Sequence, residues 1–233
     1  MDLIRNIGIA AGGTVMEDCR VIEAVRDGKY TSVLVSTHDK QYIEYRTEHF
    51  VNALGSGAGK LCDSMGIDAG LYPVRHQAFI TRRLPMLGKN GANLDMLIDR
   101  QDYKGFSAVY GQQIAYTGQI IGCASPKLDA MRIDKNLKLN TKAFLEIVSE
   151  MFVEWIPDLA GVGIQAVWAG YYTEPRYIVD PELGLFVGMR GHGFMLSQYI
   201  AKMYVDKLMG RPVPEYFDKL KLNGPGLSEK AFK

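Results

Sequence analysis

An α+β fold built on a large, mainly antiparallel sheet is what this 233-residue sequence predicts. Three observations point to it. Residues 71 to 125 hold strand-like runs, "YPVRHQAFITRRL", "NLDMLIDRQ", "FSAVYGQQ" and "AYTGQIIGCAS", parted by Gly, Asn, Asp and Lys. Such a meander leaves one sheet face available to a ligand or partner. From Thr141 the period lengthens: Phe144, Val148, Met151, Phe152 and Trp155 share one face of an amphipathic helix that Pro157 ends. A second helical run, from about Gly193 to Met209, stops at Gly210 and is expected to turn Phe194, Tyr199, Ile200, Met203 and Tyr204 inward.

The remaining elements follow in order. Leu3 to Ala11 reads as a helix closed by Gly12 and Gly13. "CRVIEAVRDGKYTSVLVST" holds two β-prone runs around Asp27-Gly28, a hairpin signal. "YIEYRTEHFVNALG" carries a further strand that stops in the glycine-rich stretch Gly55 to Gly59, before a short helix in "KLCDSMG". A strand entering such a turn and a helix start presents N–H groups that favour anions or carbonyl oxygens. "GIQAVWAGYYT" reads as a strand and "LGLFVGM" as a buried one. The polar tail "RPVPEYFDKLKLNGPGLSEKAFK" predicts an extended wrap or partial disorder.

Composition narrows the function classes. Lys+Arg 27 against Asp+Glu 26 leaves a net charge of +1, which gives no electrostatic case for nucleic acid or a membrane surface. Apolar runs fall far short of the ~20 residues that span a bilayer. An early acidic residue and no long apolar core argue against a signal peptide. Cys19, Cys62 and Cys123 are odd in number and widely spaced, which suits reduced thiols and a cytoplasmic protein. "GIAAGGTV" lacks the G-x-G-x-x-G spacing and follows a helix rather than a strand, so it is a poor phosphate site. No H-E-x-x-H, G-x-S-x-G or G-x-x-x-x-G-K-[ST] occurs, no His/Cys pair has metal-ligand spacing, and no metal is expected.

Two segments go further. "VNALGSGAGKLCDSMGI" with "LYPVRHQAFIT" resembles a signature of the flavin-dependent D-amino-acid oxidase superfamily, through Asn52, Ala53, Gly55, Pro73, Arg75 and Gln77. "VWAGYYTEPRYIVDPELGLFVGMRGHGFML" is similar to that family's closing flavin segment, in its sarcosine-oxidase and amino-acid-dehydrogenase branch. Order and length fit from about residue 14 to 210. Glu174, Pro175 and Arg176 stand where Thr, Pro and Asp are usual.

The resemblance implies FAD and oxidation of a small-molecule amine or amino acid by hydride transfer to flavin. It implies a partial FAD-binding domain in residues 1–66 and 183–210, a substrate-binding domain in 67–182 and a tail in 211–233. The family's strand and G-x-G-x-x-G unit precede such a segment, and residues 1 to 13 cannot replace it. The expectation is therefore a C-terminal portion completed by a partner chain or an oligomer. The alternative is a non-catalytic binding or assembly subunit, or an inactive relict.

Site residues follow from the resemblance and from chemistry. Gly188, Gly191, His192, Gly193 and Phe194 would meet the flavin, because glycine backbone at a helix start brings N–H groups and positive potential close to a flat ring. A plain tight turn is the alternative. Arg190 would hold a substrate carboxylate, or else make a surface ion pair. His192 is a base, a charge partner for flavin, or a turn histidine satisfied by backbone. Only one of Tyr171 and Tyr172 can face a pocket, and Tyr172 is carried as the catalytic candidate; Trp168 reads as core before stacking partner. Arg75 and Gln77 share a strand face, near flavin or solvated. Gly55 and Gly57 would lie by the ribityl and pyrophosphate, and Val21 by the adenine.

Overall fold

The structure, a computed structural model, describes residues 2–89, 91–101, 106–114, 116–126 and 141–226. The chain divides into two compact units, one formed by Met1–Gly70, Ile178–Val187 and Ile200–Lys233, the other by Leu71–Tyr177 and Gly188–Tyr199. The mixed helix and antiparallel-sheet architecture matches the expected class. The division runs differently from the expected domains: residues 188–199 go with the large sheet, and the tail goes with the first unit.

In the first unit, β1 (Arg20–Asp27), β2 (Tyr30–Ser36) and β3 (Tyr42–Thr47) form an antiparallel meander. The Asp27-Gly28 hairpin is where the sequence places it. Thr31, Val33 and Val35 alternate inward along β2, and Leu61 of α2 (Ala58–Ser64) joins Val33, Val35 and Ala24 in a small core. The Ser64 hydroxyl accepts from Ala24 N–H at 3.2 Å, docking α2 onto β1. The strand expected to run to Gly55 ends at Thr47. Beyond it Asn52, fully buried, makes a single bridge to Leu185 and donates through Nδ2 to Ala58 O at 3.0 Å, so the asparagine ties the turn to the strand beside it.

Helix α1 (Asp2–Ala10) forms as expected but buries no residue. A short hairpin, β9 (Ile178–Asp180) with β10 (Leu185–Val187), is almost wholly buried, and Asp180 Oδ1 accepts from Glu182 N at 3.1 Å inside its turn. The tail corrects the sequence reading. Glu215–Leu220 forms a 3₁₀ helix with Phe217 and Leu220 buried, because two apolar residues three apart lie on one side of such a turn.

The second unit is a five-stranded sheet ordered β5-β6-β7-β4-β8, antiparallel throughout. Its strands are β4 (Tyr72–Thr81), β5 (Leu97–Asp99), β6 (Phe106–Ile114), β7 (Gln119–Pro126) and β8 (Ile164–Glu174). Helix α3 (Thr141–Trp155) covers one face with the predicted stripe, and Phe144, Val148, Met151 and Phe152 pack with Phe79, Val109 and Ile120. The sheet accepts the Phe152 ring where it has no side chains: a Cβ on Gly111 would lie 2.3 Å from that ring. Trp168, read as core, lies away from it and is 42% exposed.

Helix α4 (Gly193–Leu208) starts where expected, but its inward face is narrower. Ile200, Met203 and Tyr204 are buried, whereas Phe194 is 85% and Tyr199 56% exposed. The apolar period alone does not say where along a helix the neighbours end. Among the described residues no helix is long and apolar enough to cross a membrane, and no metal-holding group of His, Cys, Asp or Glu occurs.

Candidate active site

Register decides which residues meet. Across β4 and β8 the Cα partners are Val74 with Tyr172, Arg75 with Tyr171, and Tyr72 with Glu174. Directly paired residues point to the same side. His76, Tyr172 and Glu174 therefore share one face of the sheet. Arg75, Gln77 and Phe79 share the other, the face that α3 covers. Arg75 and Gln77 are buried, so the solvated-face alternative falls, and the structure does not bring them together with Tyr172.

The Tyr172 face carries a 3₁₀ turn, Arg190–His192, that leads into α4. A Cβ on Gly191 would lie 2.7 Å from Tyr172 Cε2, and one on Gly193 would lie 2.9 Å from Met189 Cβ. The close approach that these glycines permit is thus made first by the protein's own side chains. Gly188, buried with φ +71, takes the left-handed region just before the turn. Arg190 lies there too, at φ 48, a conformation that costs a residue with a Cβ on the order of 1–3 kcal/mol.

Arg190 Nε sits 2.6 Å from Glu174 Oε2 in a half-buried ion pair. Glu174 was singled out in the sequence only as a departure from the family pattern. Its alternation with Tyr172 was the signal that it shares the face. His76 was missed as well. Its ring stacks on Tyr172 at 3.9 Å between centroids, and its Nδ1 is enclosed without a hydrogen-bond partner. Burial, and then the Arg190 charge, hold the His76 imidazole down at about 4, so it is neutral near pH 7. Burial likewise pushes the Tyr110 phenol up, and its neighbours Cys123 and Tyr172 add to the effect. His192 is exposed, and its Nδ1 is 2.6 Å from the Tyr177 hydroxyl. The histidine of this turn is thus held by a side chain rather than by backbone.

The first unit holds the other predicted residues. Val21 is half-buried at an irregularity of the β1–β2 pairing, and Gly55 and Gly57 form the 3₁₀ turn before α2. None of these lines that unit's cavity of about 380 Å³, whose walls include Arg26, Lys29, Glu48, Tyr204 and Lys207.

This chain belongs to the FAD-dependent oxidoreductase family, whose model matches residues 3–207. Its fold is that of amino-acid-oxidising flavoproteins. It is similar to the L-proline dehydrogenase of P. horikoshii, with 23% identity, 92% of this chain and 55% of that one covered, and a TM-score of 0.69. It is similar to the glycine oxidase of Geobacillus kaustophilus, with 17% identity, 92% and 54% covered, and a TM-score of 0.66. It is also similar to the iminodiacetate oxidase of Chelativorans sp. BNC1, with 15% identity, 95% and 57% covered, and a TM-score of 0.64. The chain thus spans a little over half the length of these proteins. A search of curated proteins finds no match.

The family's cofactor is FAD, and three features of the second unit bear on whether its residues could meet the ring. Helix α4 begins at this turn with the positive end of its dipole. Phe194, the first side chain of that helix, is exposed rather than packed, and the buried His76 Nδ1 lacks a partner. The sequence holds no G-x-G-x-x-G run for the nucleotide end.

Proposed function

We propose that this chain forms the substrate side of a FAD-dependent oxidoreductase that oxidises an amine or an amino acid. One observation carries the reading: Arg190 stands over the Tyr172 face of an antiparallel sheet, at the glycine turn that opens α4, in a member of a FAD-dependent family. Bound FAD supplies the acceptor for the hydride that leaves the substrate carbon beside nitrogen.

The residues bind and orient. Arg190 pairs with the substrate carboxylate, since guanidinium and carboxylate match in shape and charge. Tyr172 and His76 form one wall, and neutral His76 adds no charge to it. The substrate loses the C–H hydride and an N–H proton and leaves as an imine, which water hydrolyses to a carbonyl compound and an amine or ammonia. The backbone of Gly188, Gly191, His192 and Gly193, with the Phe194 ring, is the proposed cradle of the cofactor's ring. Arg75 and Gln77 stay proposed cofactor contacts, made from the opposite face of β4. Val21, Gly55 and Gly57 stay proposed contacts to the ribityl and nucleotide end. We further propose that a partner segment bearing a strand–G-x-G-x-x-G–helix unit holds the ADP half. Three cysteines without a disulfide support a reducing, cytoplasmic setting.

The test is colour. The chain is purified alone, with added FAD, and with a co-expressed polypeptide carrying such a unit, and absorbance is read in the flavin bands. Retained flavin in the co-purified sample is the expected result. Flavin in none of the three sinks the reading and favours a non-catalytic binding or assembly subunit.

A further inference from the structure

We propose that Glu174 sets the charge selectivity of this site: paired with Arg190, it matches the site to a net-neutral, zwitterionic substrate and acts against one that bears a second carboxylate. The proposal rests on the amino-acid reading above. Arg190 Nε and Glu174 Oε2 are 2.6 Å apart, and the carboxylate is the more enclosed partner, with its side chain 16% exposed against 30%. Glu174 ends β8 on the face that carries Tyr172 and His76. Arg190 meets it from a backbone at φ 48, and the ion pair helps to hold that conformation.

A lone guanidinium over this face would attract any anion, and a dicarboxylate more than a monocarboxylate. The pair removes that net charge. A carboxylate that engages Arg190 comes close to the Glu174 carboxylate, and the repulsion is relieved when the substrate's own ammonium lies beside Glu174. A second substrate carboxylate brings no such relief. Neutral His76 supplies no compensating positive charge. Like charges set side by side in a recognition site cost enough to shift relative affinity about tenfold or more.

N-methylglycine and iminodiacetate form a matched pair of probes, since iminodiacetate differs only by a carboxylate in place of one hydrogen of the N-methyl group. Their binding is measured by calorimetry on the protein as purified, on Glu174→Gln and on Glu174→Asp. The wild type is expected to prefer N-methylglycine. Glu174→Gln is expected to move the affinity ratio at least tenfold toward iminodiacetate, and Glu174→Asp to restore the wild-type order. A ratio in Glu174→Gln within twofold of wild type overturns the proposal. So does a wild type that prefers iminodiacetate or binds neither probe, a result that stands even if the glutamine variant fails to fold. Flavin absorbance is read on the same samples. A shifted ratio in protein that holds no flavin under any condition counts against the redox reading alone, whereas an unmoved ratio in flavin-bearing protein counts against Glu174 alone.

Discussion

The Tyr177 hydroxyl lies 2.6 Å from Nδ1 of His192, and this contact defines what that histidine can do. A phenol is the stronger donor and a neutral imidazole the better acceptor, so the O–H donates to Nδ1 and the proton stays on Nε2. Nδ1 is thereby engaged by a side chain. Nitrogen-15 shifts of the His192 ring are expected to show the Nε2–H tautomer, and Tyr177→Phe to abolish that preference. Because His192 is exposed and Tyr177 only half-buried, the loss of stability should stay at about 0.5–1.5 kcal/mol. An Nδ1–H ring in the wild type would reverse the assignment.

Gly191→Ala is expected to destabilise the second unit by about 1–3 kcal/mol, the usual cost of forcing atoms into a packed site. The new Cβ would meet Tyr172 Cε2 at 2.7 Å, and that ring is itself stacked on His76. Shortening the obstacle should relieve the clash. In a double-mutant cycle by urea unfolding, Gly191→Ala should cost much less in a Tyr172→Ala background. Equal costs in both backgrounds would mean that the ring does not set the need for glycine.

His76 links stability to pH. Its folded-state value of about 4 lies below the ordinary 6.5, so between these values the unfolded chain binds the extra proton. Stability is therefore whole above about pH 6.5 and falls as pH drops toward 4, by up to about 3 kcal/mol for this group. His76→Gln should flatten that part of the profile. Urea midpoints at pH 7 and pH 5 for both proteins measure the difference, and parallel slopes would exclude His76 as the cause.

The 3₁₀ helix in the tail makes a separate prediction for the first unit. Phe217 is fully buried, so Phe217→Ala should cost about 3–5 kcal/mol in chemical unfolding, the range for emptying an aromatic core position. A change near zero would restore the loosely wrapped tail that its composition suggests.

Local signals read well where one neighbour dominates. The Thr141 helix stripe, the Asp27-Gly28 hairpin and the strands of the middle region depend on periodicity and turn chemistry, and each forms at its expected place. Asn52 and the glycines at 188, 191 and 193 also stood out as motif residues. Errors gather where burial depends on what lies far away in the chain. Phe194, Tyr199 and Trp168 are apolar and in regular elements, yet exposed, while Phe217 and Leu220 are buried inside a polar tail. Composition weighs a residue by its type, whereas burial depends on which surface faces it.

From the sequence alone came the family, the α+β class, the FAD dependence and the turn at Arg190 to Gly193. Motifs determine these because each needs particular residue types at short spacing, which survive without knowledge of the fold. Only tertiary structure set Glu174 against Arg190, His76 against Tyr172 and Tyr177 against His192, and sent Arg75 and Gln77 to the helix-covered face. The facing of His76 with Tyr172, and of Arg75 and Gln77 away from them, depends on the register between β4 and β8, strands some ninety residues apart in the chain. A one-residue slip in that register would exchange every side chain between the two faces, and no local pattern records it.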